Sequence, residues 1–180
     1  MSEAMAHGLT RYMLYSLRDK GIIEQVSRGV YRLVELPPLS NPDLVTVSLR
    51  YPNAVICLIS ALSYHNITTQ IPHVVSVAVP RASRTPSLGY PPVQAHRFSN
   101  DAYNSGIENH SIDGVSVKIY TLEKTLADCF KFRNKIGMEV VLEALKLYRS
   151  RQKFNLEKLL TYAKICRVKN IMTPYLEATI

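Results

Sequence analysis

The chain has 180 residues, 47% of them hydrophobic, which is enough to bury one good core or a small module beside a larger domain. Its formal net charge of +8 favours a polyanionic or acidic partner. No apolar run approaches the ~20 residues that span a bilayer, and the first eight residues lack the features of a secretion signal, so we expect a cytoplasmic protein without a membrane partner.

The positive charge is concentrated in one part of the sequence. Residues 131–169 contain eleven Lys and Arg against three Glu, whereas the rest of the chain is neutral overall. Such a segment attracts nucleic acid or an acidic protein face, but solvated helix faces have the same composition, and both interpretations stay open. The three cysteines stand far apart without metal-type spacing, which predicts reduced, buried thiols.

The first predicted element is a helix that starts after Thr10 and ends before Gly21. Thr is a good N-cap, and glycine enters the left-handed conformation that commonly ends a helix. At ~100° per residue, Met13, Leu14 and Leu17 share one side of this helix. The opposite side and its border carry long hydrogen-bonding and aromatic groups: Arg11, Tyr12, Tyr15, Ser16 and Arg18.

A β-hairpin is predicted next, from two β-rich runs at residues 22–26 and 30–33 joined by a Ser-Arg-Gly turn. Arg28 lies at its tip and Arg32 on its second strand. A helix in a major groove beside a basic loop over the phosphates would supply both base-edge and backbone contacts to DNA. The alternative is an ordinary amphipathic helix and hairpin packed on the rest of the protein.

Three prolines in residues 34–42 predict a stiff connection between two parts. We therefore expect a winged-helix DNA-binding module over residues 1–36, a linker over 37–42 and a second domain over 43–180. The second domain is predicted to open with a helix at residues 42–50, capped by Asn41, and to continue with a buried helix over residues 54–64.

The remaining pattern predicts a small sheet covered by helices. The pattern predicts two strands, at residues 74–79 and 93–98. It also predicts a β-hairpin, because the strong turn signal Asp113-Gly114 lies between residues 107–112 and 115–120. Helices are expected over residues 122–133, with Thr121 as cap, and over 137–149, 155–167 and 171–178. The predicted class is α+β: an N-terminal, possibly truncated, winged helix-turn-helix, then a small-sheet domain with a C-terminal helical bundle.

The sequence contains no motif that we assign to catalysis. It has no glycine-rich phosphate loop, nucleophile elbow or paired zinc histidines, and its five histidines are dispersed, which suits surface or capping roles. No Asp-x-Asp pair is present to hold magnesium. We expect a protein that is not an enzyme and has no cofactor and no metal site.

Several stretches resemble the AbiEi-type antitoxins of bacterial type IV toxin–antitoxin systems, a family that includes many transcriptional regulators. The matching segments are HGLTRYMLYSLRDKGIIEQVSRGVYRL at residues 7–33, CLISALSYHNITTQIPHVVSVAVPR at 57–81 and DGVSVKIYTLEKTLADCFKFRNKIG at 113–137, followed by VVLEALKLYR and LLTYAKICRV. Together they cover nearly the whole chain in the family's order.

The resemblance implies a winged helix that binds repeats in its own promoter and a second domain that counters an AbiEii-type nucleotidyltransferase toxin. Arg11, Tyr12 and Tyr15 would face the groove, with Arg28 on the wing. The family's most recognisable block includes the positions Arg81, Thr125, Asp128, Lys131, Arg133 and Gly137. The candidate partner contacts are Arg81, Lys131, Arg133 and Lys135. Asp128 is also placed to form a helix ion pair with Lys124 or Lys131.

One feature departs from the family. Such antitoxins usually carry one or two more helices ahead of the reading helix, whereas only eight residues precede Leu9 here. Met13, Leu14 and Leu17 would then be poorly covered unless the second domain covers them. Two functions stay open: a DNA-binding autorepressor that is also an antitoxin, or a protein-binding antitoxin or adaptor with a vestigial N-terminus that does not bind DNA.

Overall fold

A computed structural model describes residues 2–27, 29–151 and 154–178. Ten helices and seven strands are assigned within this part of the chain. In chain order they are α1 Ser2–Ala6, α2 Arg11–Asp19, β1 Ile23–Ser27, β2 Val30–Leu33, α3 Pro42–Arg50, β3 Val55–Ile56, α4 Leu58–Tyr64, β4 Val75–Pro80, β5 Val93–Phe98, α5 Asn100–Asn104, β6 Ile107–Ile112, β7 Val115–Tyr120, α6 Leu122–Lys131, α7 Arg133–Ile136, α8 Met138–Arg149, α9 Leu156–Ile165 and α10 Lys169–Ala178.

The central sheet has five strands in the order β5-β4-β3-β7-β6. Its pairing is mixed, because β3 is antiparallel to β4 but parallel to β7, and β4 is parallel to β5. Strands β6 and β7 form the predicted hairpin, and the turn residues Asp113 and Gly114 both have positive φ, at 50° and 80°. The predicted α+β class is confirmed.

Apolar side chains cover both faces of this sheet because its strands alternate between two cores. Ile56, Val77 and Ile119 pack with α3 on one face. Val55 and Ala78 belong to the other core, which is built mainly from α4, α6, α8, α9 and α10. All three cysteines lie buried and unoxidised within this second core, as predicted.

Several local predictions needed correction. The expected helix over residues 54–64 begins only at Leu58, because Val55 and Ile56 are taken into the sheet as its shortest strand. Asn41 precedes α3 but makes no side-chain capping bond. The helix expected over residues 122–133 is interrupted at Phe132. His96 is 5% exposed, so it is neither a surface nor a capping residue.

The N-terminal helix and hairpin form as predicted. The Thr10 hydroxyl accepts a hydrogen bond from the backbone N–H of Met13 at 3.2 Å, and Gly21 follows the end of α2 with φ +70°. Leu14 is buried although Met13 remains 45% exposed, so the apolar side of α2 is covered only in part. The short helix α1 precedes α2. The winged-helix assignment and the domain boundaries stay predictions.

None of the helices in the described part of the chain combines the length and the apolar character needed to cross a membrane.

Candidate nucleic-acid interface

Helix α2 turns a polar, aromatic side toward solvent. Tyr12 is 81% exposed and Tyr15 is 42% exposed, and Arg11 beside them is exposed as well. This orientation follows from the amphipathic sequence, because burial of Leu14 places the opposite side of the helix outward. The three residues predicted to face a DNA groove are therefore all accessible.

The exposed side of α2 continues into a concave surface of about 570 Å³ shared by three elements. Arg11, Tyr15 and Arg18 line it from α2, and Tyr31 lines it from the hairpin. Arg50, in the last turn of α3, lines it as well. The remaining lining residues are Gln25 and Gly29, and we refer to the whole set as the basic concavity.

Arg18, which lines the basic concavity, contacts two neighbouring side chains, those of Asp19 and Tyr15. Its guanidinium donates hydrogen bonds to the Asp19 carboxylate at 2.8 and 3.0 Å and lies 5.2 Å from the centre of the Tyr15 ring. The hydrogen bond with Asp19 and its negative charge raise the pKa of Arg18. Arg18 is therefore a permanent positive charge, oriented by an adjacent carboxylate and an aromatic face.

Arg50 is the basic residue of the site that the sequence analysis missed, and the lining residues Gln25, Gly29 and Tyr31 were not predicted as DNA contacts either. Arg50 lies beyond the proline-rich connection, in a segment assigned to the other domain, and only the packing of α3 against the hairpin brings it to α2. A basic residue in a last helical turn is common and carries no functional signal by itself. Residue spacing along the chain could not have revealed it.

Arg32 is placed differently from the other predicted DNA contacts. Its Nε lies 3.0 Å from a Glu24 carboxylate oxygen, and its Nη2 donates to the Leu36 carbonyl at 2.5 Å. Its side chain is only 14% exposed and does not line the basic concavity. Arg32 thus fixes the hairpin to the segment after it. Ser16 is half-buried outside the concavity, and Arg28 lies outside the described residues.

The residues predicted to contact a protein partner lie elsewhere in the fold. Lys131 and Lys135 are exposed around α7, and the Lys135 ammonium lies 5.8 Å from the centre of the Phe132 ring. Arg133 is half-buried and donates a hydrogen bond to the Phe130 carbonyl at 3.0 Å. Arg81 is exposed in the loop after β4, where its carbonyl accepts from Arg97. No hydrogen bond or ion pair among the described residues joins Arg81 to the other three.

The basic concavity has the chemistry of an anion-binding surface. Guanidinium groups donate to phosphate oxygens and to base edges, and tyrosines stack on bases or donate from their hydroxyls. Within the described residues no group of three or more His, Cys, Asp or Glu could hold a metal ion.

Comparison with known proteins finds a family model that is similar to the N-terminal segment. Residues 1–34 match the family model described as "Transcriptional regulator, AbiEi antitoxin". This segment resembles AbiEi antitoxins. The AbiEi-like segment, as we call residues 1–34, contains α1, α2 and the hairpin, and it supplies every residue of the basic concavity except Arg50. The resemblance noted from the sequence is confirmed over these residues and indicates an antitoxin or transcriptional-regulator role.

The remaining comparisons concern the fold. The chain is similar to the crystal structure of the RV2827C protein from Mycobacterium tuberculosis, with a TM-score of 0.54 and 15% sequence identity. The similarity covers 91% of this chain and 68% of that one, and at this identity it supports the fold alone. No curated protein matches the sequence.

Proposed function

We propose that the protein is a DNA-binding transcriptional repressor of its own promoter and the antitoxin of a type IV toxin–antitoxin pair. The observation that carries the DNA-binding part is the basic concavity, where exposed groups of the AbiEi-like segment meet Arg50. Its chemistry suits the phosphates and base edges of a duplex. The proposal assigns no catalytic activity, cofactor or metal to the chain.

In this proposal helix α2 acts as the reading helix of a winged helix and enters the major groove. Arg11, Tyr12 and Tyr15 lie on its most exposed side and would contact base edges. Arg18 and Arg50 line the same concavity and would bind phosphates. Arg28, which the sequence places in the turn of the hairpin, is also expected to do so. Arg32 would contribute indirectly, by holding the hairpin in position.

The antitoxin part of the proposal concerns the second domain and an AbiEii-type nucleotidyltransferase toxin. The exposed ammonium groups of Lys131 and Lys135 are the strongest candidates for contact with an acidic face of that protein. Arg81 is a further exposed candidate, whereas Arg133 is committed to a backbone carbonyl. Charge reversal of Lys131 and Lys135 should weaken protection against the co-expressed toxin without changing DNA binding.

The DNA-binding part is tested by the affinity of the purified protein for its own promoter and for a scrambled duplex of equal length. Arg11→Ala and Tyr15→Ala should each weaken promoter binding by about 1–3 kcal/mol, roughly five- to a hundredfold, with much smaller effects on the scrambled duplex. This difference arises because base contacts contribute only on the correct sequence.

Lys164→Ala is a suitable control, because Lys164 is an equally exposed basic side chain on α9, outside the basic concavity. It should leave the preference for the promoter unchanged. If the wild type binds neither duplex, or binds both with equal affinity, and still protects against the toxin, the chain acts as a protein-binding antitoxin without promoter recognition.

A further inference from the structure

A second cavity lies behind the hairpin, and its lining is mainly apolar where that of the basic concavity is charged and polar. It is a mainly apolar cleft of about 350 Å³ where the hairpin, the segment after it and α3 meet. Val26 and Val30 line it from the hairpin, Leu36 lines it from the connection, and Val45 and Leu49 line it from α3. We refer to this cavity as the apolar cleft. It is open to solvent, since Leu36 is 50% and Leu49 41% exposed.

The two charged groups at the apolar cleft already have partners in the protein, although only Arg32 has an oppositely charged one. Arg32 pairs with Glu24 at 3.0 Å and donates to a backbone carbonyl. Asp113 accepts hydrogen bonds from the backbone N–H of Ser40 at 2.8 Å and from its hydroxyl at 3.1 Å. Arg32 therefore offers no unpaired positive charge to an anion, and Asp113 would repel one. An anion would lose its hydration here without gaining an ion pair in return.

Size, composition and position together define the occupant. Small-molecule sites have volumes of about 300–1,000 Å³, apolar walls and few polar groups, and they occur preferentially between structural units. We propose that the apolar cleft binds a small, uncharged, predominantly apolar molecule. This inference goes beyond the proposed DNA and toxin functions and does not depend on either.

Occupancy of the apolar cleft would restrain the hairpin. The cleft walls belong partly to β1 and β2 and partly to α3, so a molecule between them contacts both and favours the arrangement that it fills. A ligand that binds only the closed arrangement stabilises it by an amount that grows with concentration. The hairpin backbone should therefore open less often when the cleft is occupied.

The probe for this test is N-phenyl-1-naphthylamine, an uncharged fluorophore that brightens in apolar surroundings, titrated into the full-length protein. We expect saturable binding that is at least tenfold weaker for 8-anilino-1-naphthalenesulfonate, which has the same aromatic rings plus a sulfonate. Leu49→Trp, which fills the cleft, should weaken binding of the uncharged probe at least tenfold. Leu142→Trp is the matched control, because Leu142 is similarly exposed on α8 and should not change binding.

Leu36→Trp provides a second filling variant outside any helix or strand, in case α3 does not tolerate the larger side chain. Amide hydrogen exchange of the wild type should slow in β1 and β2 when the uncharged probe is bound. The proposal is overturned by the absence of saturable binding, by equal binding of both probes, or by undiminished binding in the folded filling variants. The proposal would also be contradicted if the bound probe slowed amide hydrogen exchange only in other parts of the chain.

Discussion

Lys124 and Asp128 form an ion pair at the centre of the larger core, with both side chains fully shielded from solvent. Lys124 Nζ lies 2.5 Å from an Asp128 oxygen and 4.0 Å from the centre of the Tyr120 ring. The Cys166 thiol donates to the other Asp128 oxygen at 3.2 Å. Burial raises the pKa of Asp128, with the neighbouring Lys124 opposing it. Removing one member of such a buried pair strongly lowers the free energy of unfolding. Replacing both members with apolar residues changes it little.

This arrangement predicts a strongly non-additive pair of substitutions. Asp128→Ala should lower the free energy of unfolding by about 3–5 kcal/mol, because it leaves the Lys124 ammonium buried without its partner. The double variant Lys124→Met, Asp128→Leu should recover most of that loss. Urea unfolding of both variants measures it; equal losses in the single and double variants would contradict the interpretation.

The environment of His96 leads us to predict that the free energy of unfolding falls at acid pH. The side chain is buried against the Phe132 ring at 5.3 Å, and its Nε2 has no hydrogen-bond partner among the described residues. Burial, assisted by the positive charge of Lys135, lowers the pKa of His96 to about 4. Between its ordinary pKa of about 6.5 and about 4, the unfolded chain therefore binds a proton that the folded chain excludes.

The stability that depends on neutral His96 is thus fully present above pH 6.5 and is lost as the pH falls toward 4. At pH 4.5 the loss relative to pH 7 should be about 2–3 kcal/mol. His96→Leu should be as stable as the wild type at pH 7 and should lack this component of the acid loss. Urea unfolding at the two pH values is the measurement, and parallel behaviour of the two proteins would show that His96 does not titrate in this way.

At the scale of the elements, the close approach of the chain to α6 just before β6 depends on Gly106. It has φ +73°, and a Cβ at this position would lie 2.7 Å from Lys124 Cβ. Gly114 has a similar φ of +80° but no atom within 4 Å of the corresponding position. The two glycines therefore separate the cost of the backbone conformation from the cost of the steric clash.

We predict that Gly106→Ala destabilises the protein more than Gly114→Ala does. The second substitution should cost about 1 kcal/mol for the left-handed conformation, and the first should cost at least ~2 kcal/mol because α6 must also move. Thermal or urea unfolding of the two variants compares them directly. If both variants lose the same free energy of unfolding, the structure accommodates the Cβ beside Lys124 without further destabilisation.

The elements also show why sequence analysis succeeded in some places and failed in others. Thr10, Thr121 and the Asp113-Gly114 turn act through neighbours in the chain, so their helices and hairpin were predictable. Strand β3 was not, because its two apolar residues have no local signal that distinguishes them from the buried helix that follows. Its identity depends on pairing with β4 and β7, which are distant in sequence.

For the candidate site too, the features that depend on local sequence were predictable and those that depend on tertiary packing were not. The exposure of Arg11 and Tyr15 follows from helical periodicity and was predicted. The contribution of Arg50 was not predicted, because it depends on tertiary packing. The ion pair of Arg32 is an intermediate case, because the antiparallel register places Glu24 opposite it, but that register had to be known first.

For the whole molecule, positive charge is distributed over two regions with different expected roles. The sequence surplus lies in residues 131–169, whereas the basic concavity lies at the opposite end of the chain. Long-range attraction for a polyanion depends on total charge, but binding at a defined surface depends on which charges touch the phosphates. Two variants of equal net charge can separate these effects.

The most direct test measures promoter affinity against salt concentration for two triple variants, each lacking three positive charges. Replacing Arg11, Arg18 and Arg50 with Gln should weaken binding at least a hundredfold, and it should reduce the log–log salt slope by about 2, as expected when the two phosphate contacts of Arg18 and Arg50 are lost. Replacing the exposed Lys131, Lys135 and Lys164 with Gln should leave both quantities close to wild type. Equal effects of the two variants, or a larger effect of the second, would contradict the assignment of DNA binding to the basic concavity.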